Sequence, residues 1–395
     1  MKIKICLSLI VFALQSFICG ASPTISLPMH READETVNVV LHKCRDFSWG
    51  YKDKTTGEIL IDCQYWWADN FHQGIAKAYW SYWNRKYGLL FLVDGKIIQS
   101  EVKYDDILNI SEGLVGVKLD NKWGFINNKG EIAIPFIYED ASSFREGLAG
   151  VQIIQPFDTV DLTPYKTEFD FRLKRKWGFI DKEGNEIIPF MYDSVSPFSD
   201  GLARAKFDNK WGVINIKNEV VIPFIYDGIV IYSSFIRVEL DNKMGLIDKQ
   251  NNIIAPIIYD IIYGRIHKNI VIVKLDGKYG LIDNKTGKEV FPIKYDNIHS
   301  FRGGLAVVRL NNKFGFVDKD GNLVVPIIYS WAYDFREGLA RVRYDGKWGF
   351  VDTTGNLVIP IIYDNVLNDG FDKGRARVKL GDQWISIDKN SNKIE

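Results

Sequence analysis

Residues 338–366 read GLARVRYDGKWGFVDTTGNLVIPIIYDNV, and the fold is decided in that stretch. Residues 339–344 alternate apolar and polar side chains, the period of a half-buried strand. Asp345-Gly346 follows, a pair that tolerates the positive φ needed at both centres of a type I′ hairpin turn. Residues 347–352 form the return strand, Thr354-Gly355 turns the chain again, and residues 357–363 form a third strand. From Asp364 onward a short, irregular fourth strand is expected. The stretch encodes an antiparallel meander of three or four strands, and no segment elsewhere sustains a helical period.

The same pattern recurs along the chain. Lys86-Tyr87-Gly88, Lys122-Trp123-Gly124, Lys176-Trp177-Gly178, Lys210-Trp211-Gly212, Lys278-Tyr279-Gly280 and Lys313-Phe314-Gly315 match Lys347-Trp348-Gly349, and Lys243-Met244-Gly245 carries methionine at the aromatic position. Trp49-Gly50 opens the series and Gln383-Trp384-Ile385 closes it. The interval is roughly 35 residues, except one that is longer by about 20, so the length of 395 residues reflects about nine to ten copies of one unit instead of several unrelated domains.

Three recurring positions ask for a structural reason. The glycine after the aromatic implies a bulge or a backbone approach that a Cβ would block. A proline three residues before a tyrosine, as in Pro223 and Tyr226 or Pro360 and Tyr363, cannot donate to a strand ladder and belongs at a bulge or an outer edge. The tyrosine itself, present in each unit from Tyr65 to Tyr363, reads as packing between units.

The run K-W-G-F-[IV]-D-x-x-G-[NE]-x-[IV]-[IV]-P-x-x-Y-D, seen from Lys122, Lys176 and Lys347, resembles the WG (KWG) repeat family of bacterial proteins. The resemblance extends from about Phe47 to Asp388 and implies an architecture more than an activity, since the family is largely of undefined function. The first two copies depart from it, with Asp62 and Glu101 in place of proline, and the last has Ile385 in place of glycine, as terminal caps of a linear array would. The fold class expected is all-β, a tandem repeat of three- to four-stranded antiparallel meanders resembling β-propeller blades, arranged as a closed ring or an open superhelical array.

At the amino terminus, residues 1–21 carry Lys2 and Lys4, an apolar run and a small-residue exit, the layout of a secretory signal peptide. Lipid anchoring at Cys19 is disfavoured by the bulky Phe17 and Ile18 before it. Residues 22–36 are read as a linker and residues 37–395 as the repeat domain, with an insertion at 155–174. The chain is expected to be secreted or held in the periplasm or cell envelope, with no membrane insertion after the signal is removed. Cys44 and Cys63 are then the remaining cysteines, either paired as the oxidising compartment permits or kept as two buried thiols.

Composition excludes more than it assigns. Lys+Arg and Asp+Glu both number 50, so no excess of basic charge points to nucleic acid. The five histidines, among them His42, show no paired ligand spacing, and neither a nucleophile elbow nor a phosphate loop is present. No metal or cofactor is expected, and the recurrent Tyr-Asp pairs are read as Asx-turns.

The aromatic content of 14% is high, and its irregular share is the better candidate for a site. One irregular stretch is Tyr79 to Asn84, with Trp80, Tyr82 and Trp83 at a turn tip suited to sugar stacking or a protein contact, or else capping the first unit together with Tyr65-Trp66-Trp67. The other is the insertion, with Phe157, Tyr165 and Phe169. The function expected is a non-enzymatic binding or scaffold protein engaging a protein or glycan partner; a polysaccharide-acting enzyme is the alternative.

Overall fold

The computed structural model describes residues 38–45, 47–80, 87–155, 174–263, 269–299, 301–368 and 370–394. Among them there is no helix. The strands form ten antiparallel sheets, the first of three strands and the other nine of four, each in simple chain order. Residues 1–37, which include the stretches read as a signal peptide and a linker, and residues 156–173 of the insertion lie outside the described residues, as do Tyr82 and Trp83.

The ninth sheet is built from Trp331–Ala332, Leu339–Tyr344, Lys347–Asp352 and Leu357–Tyr363. Its hairpin turns where the sequence reading put it, with φ of 45° at Asp345 and 78° at Gly346. The expected fourth strand is placed differently: Asn365–Val366 pairs with Ala376–Leu380 and opens the tenth sheet instead of closing the ninth. Only Asp364 separates Tyr363 from Asn365. One residue cannot reverse a strand, which takes at least a two-residue loop, so the chain runs on into the next sheet.

Packing follows from that continuity. Nine buried clusters hold the molecule together, each filled from two sheets adjacent in sequence. Between the fifth and sixth sheets, for example, Leu202, Val213, Ile222 and Tyr226 meet Ile229, Ile236, Val238 and Ile247. Each fully buried aliphatic side chain there contributes about 1.5–3 kcal/mol of transfer free energy. The nine clusters join the first sheet to the second and so on to the tenth, and among the described residues none joins the tenth to the first. The array is open, with stability shared between neighbours along one dimension.

The recurring glycine and proline have one joint cause. Trp348 pairs with Tyr363 and Phe350 with Ile359, so Gly349 alone faces Pro360, Ile361 and Ile362. A Cβ on Gly349 would stand 2.7 Å from both the Ile359 carbonyl oxygen and Ile361 Cγ1. Pro360 sits inside this bulge and on the outermost strand, where no ladder partner asks for its missing N–H.

The Tyr-Asp pairs are more than Asx-turns, which corrects the sequence reading. Asp227 accepts from Lys210 Nζ at 2.6 Å through one oxygen and from the Asp241 backbone N–H at 2.9 Å through the other. Asp260 repeats this with Lys243, Asp296 with Lys278, and Asp364 with Lys347. Each carboxylate therefore clasps the return strand of one sheet to the hairpin of the next. The Lys210 hydrogen bond, with the Asp241 amide, holds the Asp227 carboxyl below the usual range. The Asx-turns lie one strand earlier, as at Asp352, whose Oδ1 accepts from the Thr354 and Asn356 amides.

Candidate functional site

Apart from the insertion in the fourth sheet and the last unit, departures from the repeat concentrate in the first two sheets. The second sheet's outer strand, Lys96–Gln99, has only four residues where the third to ninth sheets have seven. The outer strand pairs in register only as far as Gln99, without the bulge that even the proline-less first sheet keeps at Asp62, and the chain leaves the sheet before Tyr104 returns in a single bridge to Tyr87. The Ser100 hydroxyl accepts from the Val102 amide at 3.2 Å and shapes that detour. The strand that would cover the third sheet is missing there, and a cavity of about 340 Å³ opens between the two sheets.

Ile98, Val102, Leu119, Ile126, Ile132 and Phe136 supply its apolar lining, and Glu101 and Lys129 add one charge of each sign. Tyr104 also borders it, and burial raises the phenol's pKa, partly offset by the Ser100 hydrogen bond. A concave apolar site with a few polar groups is the usual form of a binding pocket.

The cavity opens onto a longer feature that the sequence reading missed. Ile132 is 62% exposed, and at its end of the outer strands Val220, Ile253, Leu323 and Leu357 are exposed too; Ile137, Ile225, Ile258, Ile328 and Ile362 repeat this just before the tyrosine. The fourth sheet interrupts the first row with Glu186, and the seventh interrupts both with Glu289 and Lys294. In sequence these residues sit in continuous apolar runs such as VVIPFIY, which do not show which side chains face solvent; the bulge shifts the alternation and turns two of them per strand outward. The proline in the same strand keeps this exposed edge from pairing with another chain.

The aromatic residues singled out from sequence divide. Trp80 is half-buried: its indole covers Gly88, meets Tyr65 edge-on at 5.2 Å and lies 5.1 Å from the Lys103 ammonium. Tyr79 stacks on Trp67 at 4.9 Å and meets Tyr87 at 5.0 Å. Burial pushes the Tyr65 and Tyr79 phenols up to about 12, so both stay neutral at physiological pH. These rings pack on one another within and between the first two sheets. Tyr82, Trp83, Phe157, Tyr165 and Phe169 lie outside the described residues, although Gln155 and Lys174 pair at the base of the insertion. Cys44 and Cys63 form a disulfide with Cα atoms 6.2 Å apart.

A family model described as the WG containing repeat matches nine segments, residues 49–78, 95–123, 123–153, 177–211, 211–243, 244–279, 279–314, 314–348 and 348–384. The chain belongs to the WG-repeat family. Most of these segments start near the aromatic of one sheet and end in the next, so the WG repeat as the family counts it is the inter-sheet joint. No curated protein matches the chain.

Solved structures similar to this WG-repeat chain include a eukaryotic initiation factor, at 10% identity and a TM-score of 0.38, covering 79% of this chain and 93% of that one. Apo AztD from Citrobacter koseri matches at 13% identity and a TM-score of 0.23, covering 88% and 90%. The extracellular domain of a putative one-component system from B. thetaiotaomicron matches at 10% identity and a TM-score of 0.22, covering 95% and 67%. Likenesses this distant carry no argument about what the chain does.

Proposed function

We propose that this WG-repeat protein is an exported, non-enzymatic binding or scaffold protein that engages a protein partner through the cavity between its second and third sheets. The observation that carries this reading is the continuity of the 340 Å³ apolar cavity with exposed Ile98, Val102 and Ile132. Aliphatic side chains suit the apolar residues of a polypeptide, whereas sugars favour flat exposed rings. The disulfide supports export, since such bonds persist in oxidising compartments. The lysine-aspartate clasps and Asx-turns engage carboxylates in holding the array, which supports a scaffold over a catalyst.

Panning the full chain against a random peptide display library and a glycan array tests this. Enrichment of peptides with apolar residues, with binding lost in Ile132→Asp and Val102→Asp, is the expected outcome. Both positions are exposed, so folding should survive. Binding confined to glycans, or peptide binding indifferent to both substitutions, would refute the reading, as would turnover of a polysaccharide by the purified chain.

A further inference from the structure

Superimposing the units by their paired glycine exposes one place where the first sheet differs in chemistry. In the third sheet Gly124 pairs with Val117 of the hairpin partner strand, and Leu119 and Phe136 flank the same spot. In the seventh the corresponding residues are Val273, Leu275 and Ile293, and from the third sheet through the ninth all three positions are apolar or aromatic. In the first sheet Gly50 pairs with His42, and the three positions hold His42, Cys44 and Cys63.

The geometry follows from strand alternation and the glycine. His42 and Cys44 are two residues apart, so their side chains share a face. Gly50 on the central strand adds no side chain between them and Cys63 on the far strand, and the three reach one another across it. One ligand atom from each lies within 4.8 Å of the others, and all three residues are half-buried. In later sheets this face is covered by the preceding sheet, as Val117 is by the second sheet. Among the described residues no sheet covers this face of the first.

We propose that His42, Cys44 and Cys63 form a redox-gated metal site, locked as a disulfide when oxidised and binding a cation of the zinc class when reduced. A polar cap or a staple would not need the histidine in the same pocket. A dithiol donor supplies two electrons and two protons, cleaving the Cys44–Cys63 bond to two thiols while itself becoming a disulfide. Zinc then displaces both thiol protons to water and takes two thiolate sulfurs and one imidazole nitrogen. Zinc bonds of about 2.3 Å to sulfur and 2.0–2.1 Å to nitrogen are reached from the present spacing by side-chain rotation, and the half-exposed fourth position is left to water.

The experiment uses the full chain, oxidised or reduced with a phosphine that is then removed under argon. Zinc uptake is titrated against a chromophoric chelator, and cobalt substitution is followed by its sulfur-to-metal charge-transfer band. The reduced chain should bind one zinc, release about two protons, and show the cobalt-thiolate band; the oxidised chain should show none of these. Cys63→Ser should abolish tight binding. His42→Ala keeps the disulfide and should weaken reduced-state affinity at least about tenfold. Equal uptake by the oxidised chain, or affinity unchanged in either variant, overturns the proposal. Loss of amide-exchange protection across residues 39–65 on reduction, unrecovered on adding zinc, overturns it too.

Discussion

Replacing Gly212 by alanine, in the middle of the array, tests the account of the bulge most directly. Its φ is not in the left-handed region, so alanine meets no backbone penalty; the obstacle is space. The added Cβ would stand 2.7 Å from the Ile222 carbonyl oxygen and from Phe224 Cδ1. Phe224 cannot swing away freely, because its ring stacks on Tyr192 at 5.8 Å and meets Phe207 at 5.8 Å. The outer strand must yield instead. Overpacking of this kind costs about 1–3 kcal/mol. The stiffer unfolded chain returns about 0.4–1 kcal/mol, leaving a net loss on the order of 1–2 kcal/mol.

Because a linear array need not unfold in one step, the readout is amide exchange of Val220–Tyr226 alongside the urea midpoint. Gly346 is the control: its φ is 78° and no atom lies within 4 Å of a Cβ there. Asparagine, which tolerates left-handed backbone, should be nearly neutral at 346 and worse than alanine at 212. Unchanged or improved protection in Gly212→Ala, or asparagine tolerated equally at both sites, would refute the close-approach explanation.

Other consequences are as open to measurement. Hydrogen bonds from Lys210, Lys243, Lys278 and Lys347 hold Asp227, Asp260, Asp296 and Asp364 below the ordinary carboxylate range. Depressed folded-state values mean this stabilisation is present above about pH 4 and lost as pH falls through them. Lys210 and Lys243 are raised by the same bonds, so their share holds below about pH 10.4 and fades above it. Melting temperature against pH should fall at both ends, less steeply in high salt; an acid limb unaltered in an Asp227→Asn, Asp260→Asn double variant would count against the clasps.

Reduction of Cys44–Cys63 removes a crosslink between residues 19 apart and should destabilise the first sheet by about 3 kcal/mol or less. Exchange protection should drop there and hold in the later sheets; a loss spread along the whole array would contradict nearest-neighbour packing. Trp80→Ala should cost less than the about 3–5 kcal/mol of a fully buried tryptophan, because its ring is half-buried. Calorimetry of the variant decides between this packing role and a neutral surface residue.

Much of the architecture was legible because it rests on local rules. The Asp-Gly turn, the alternation of residues 339–344 and the glycine-proline bulge are each set by a few neighbouring residues and by backbone sterics. The fourth strand was assigned to the wrong sheet because strand propensity says where a strand lies and not which strand it pairs with. The exposed isoleucines were not legible because the bulge changes which face a residue takes, and a bulge counts residues on two strands at once. The cavity was still less visible, since it is an absence produced by a short outer strand opposite a full one.

What the sequence determined by itself is the unit: strand, hairpin, strand, bulged outer strand, repeated at a period near 35 residues, because each of these depends on contacts short in sequence. Only the tertiary structure decided that the units stack in an open array, that the tyrosine-linked aspartates clasp one sheet to the next, and that His42 meets Cys44 and Cys63. Those outcomes depend on which faces oppose one another across sheets and on the bulge that brings the outer strand against Gly50. Spacing along a chain does not encode such facts until the strands are paired.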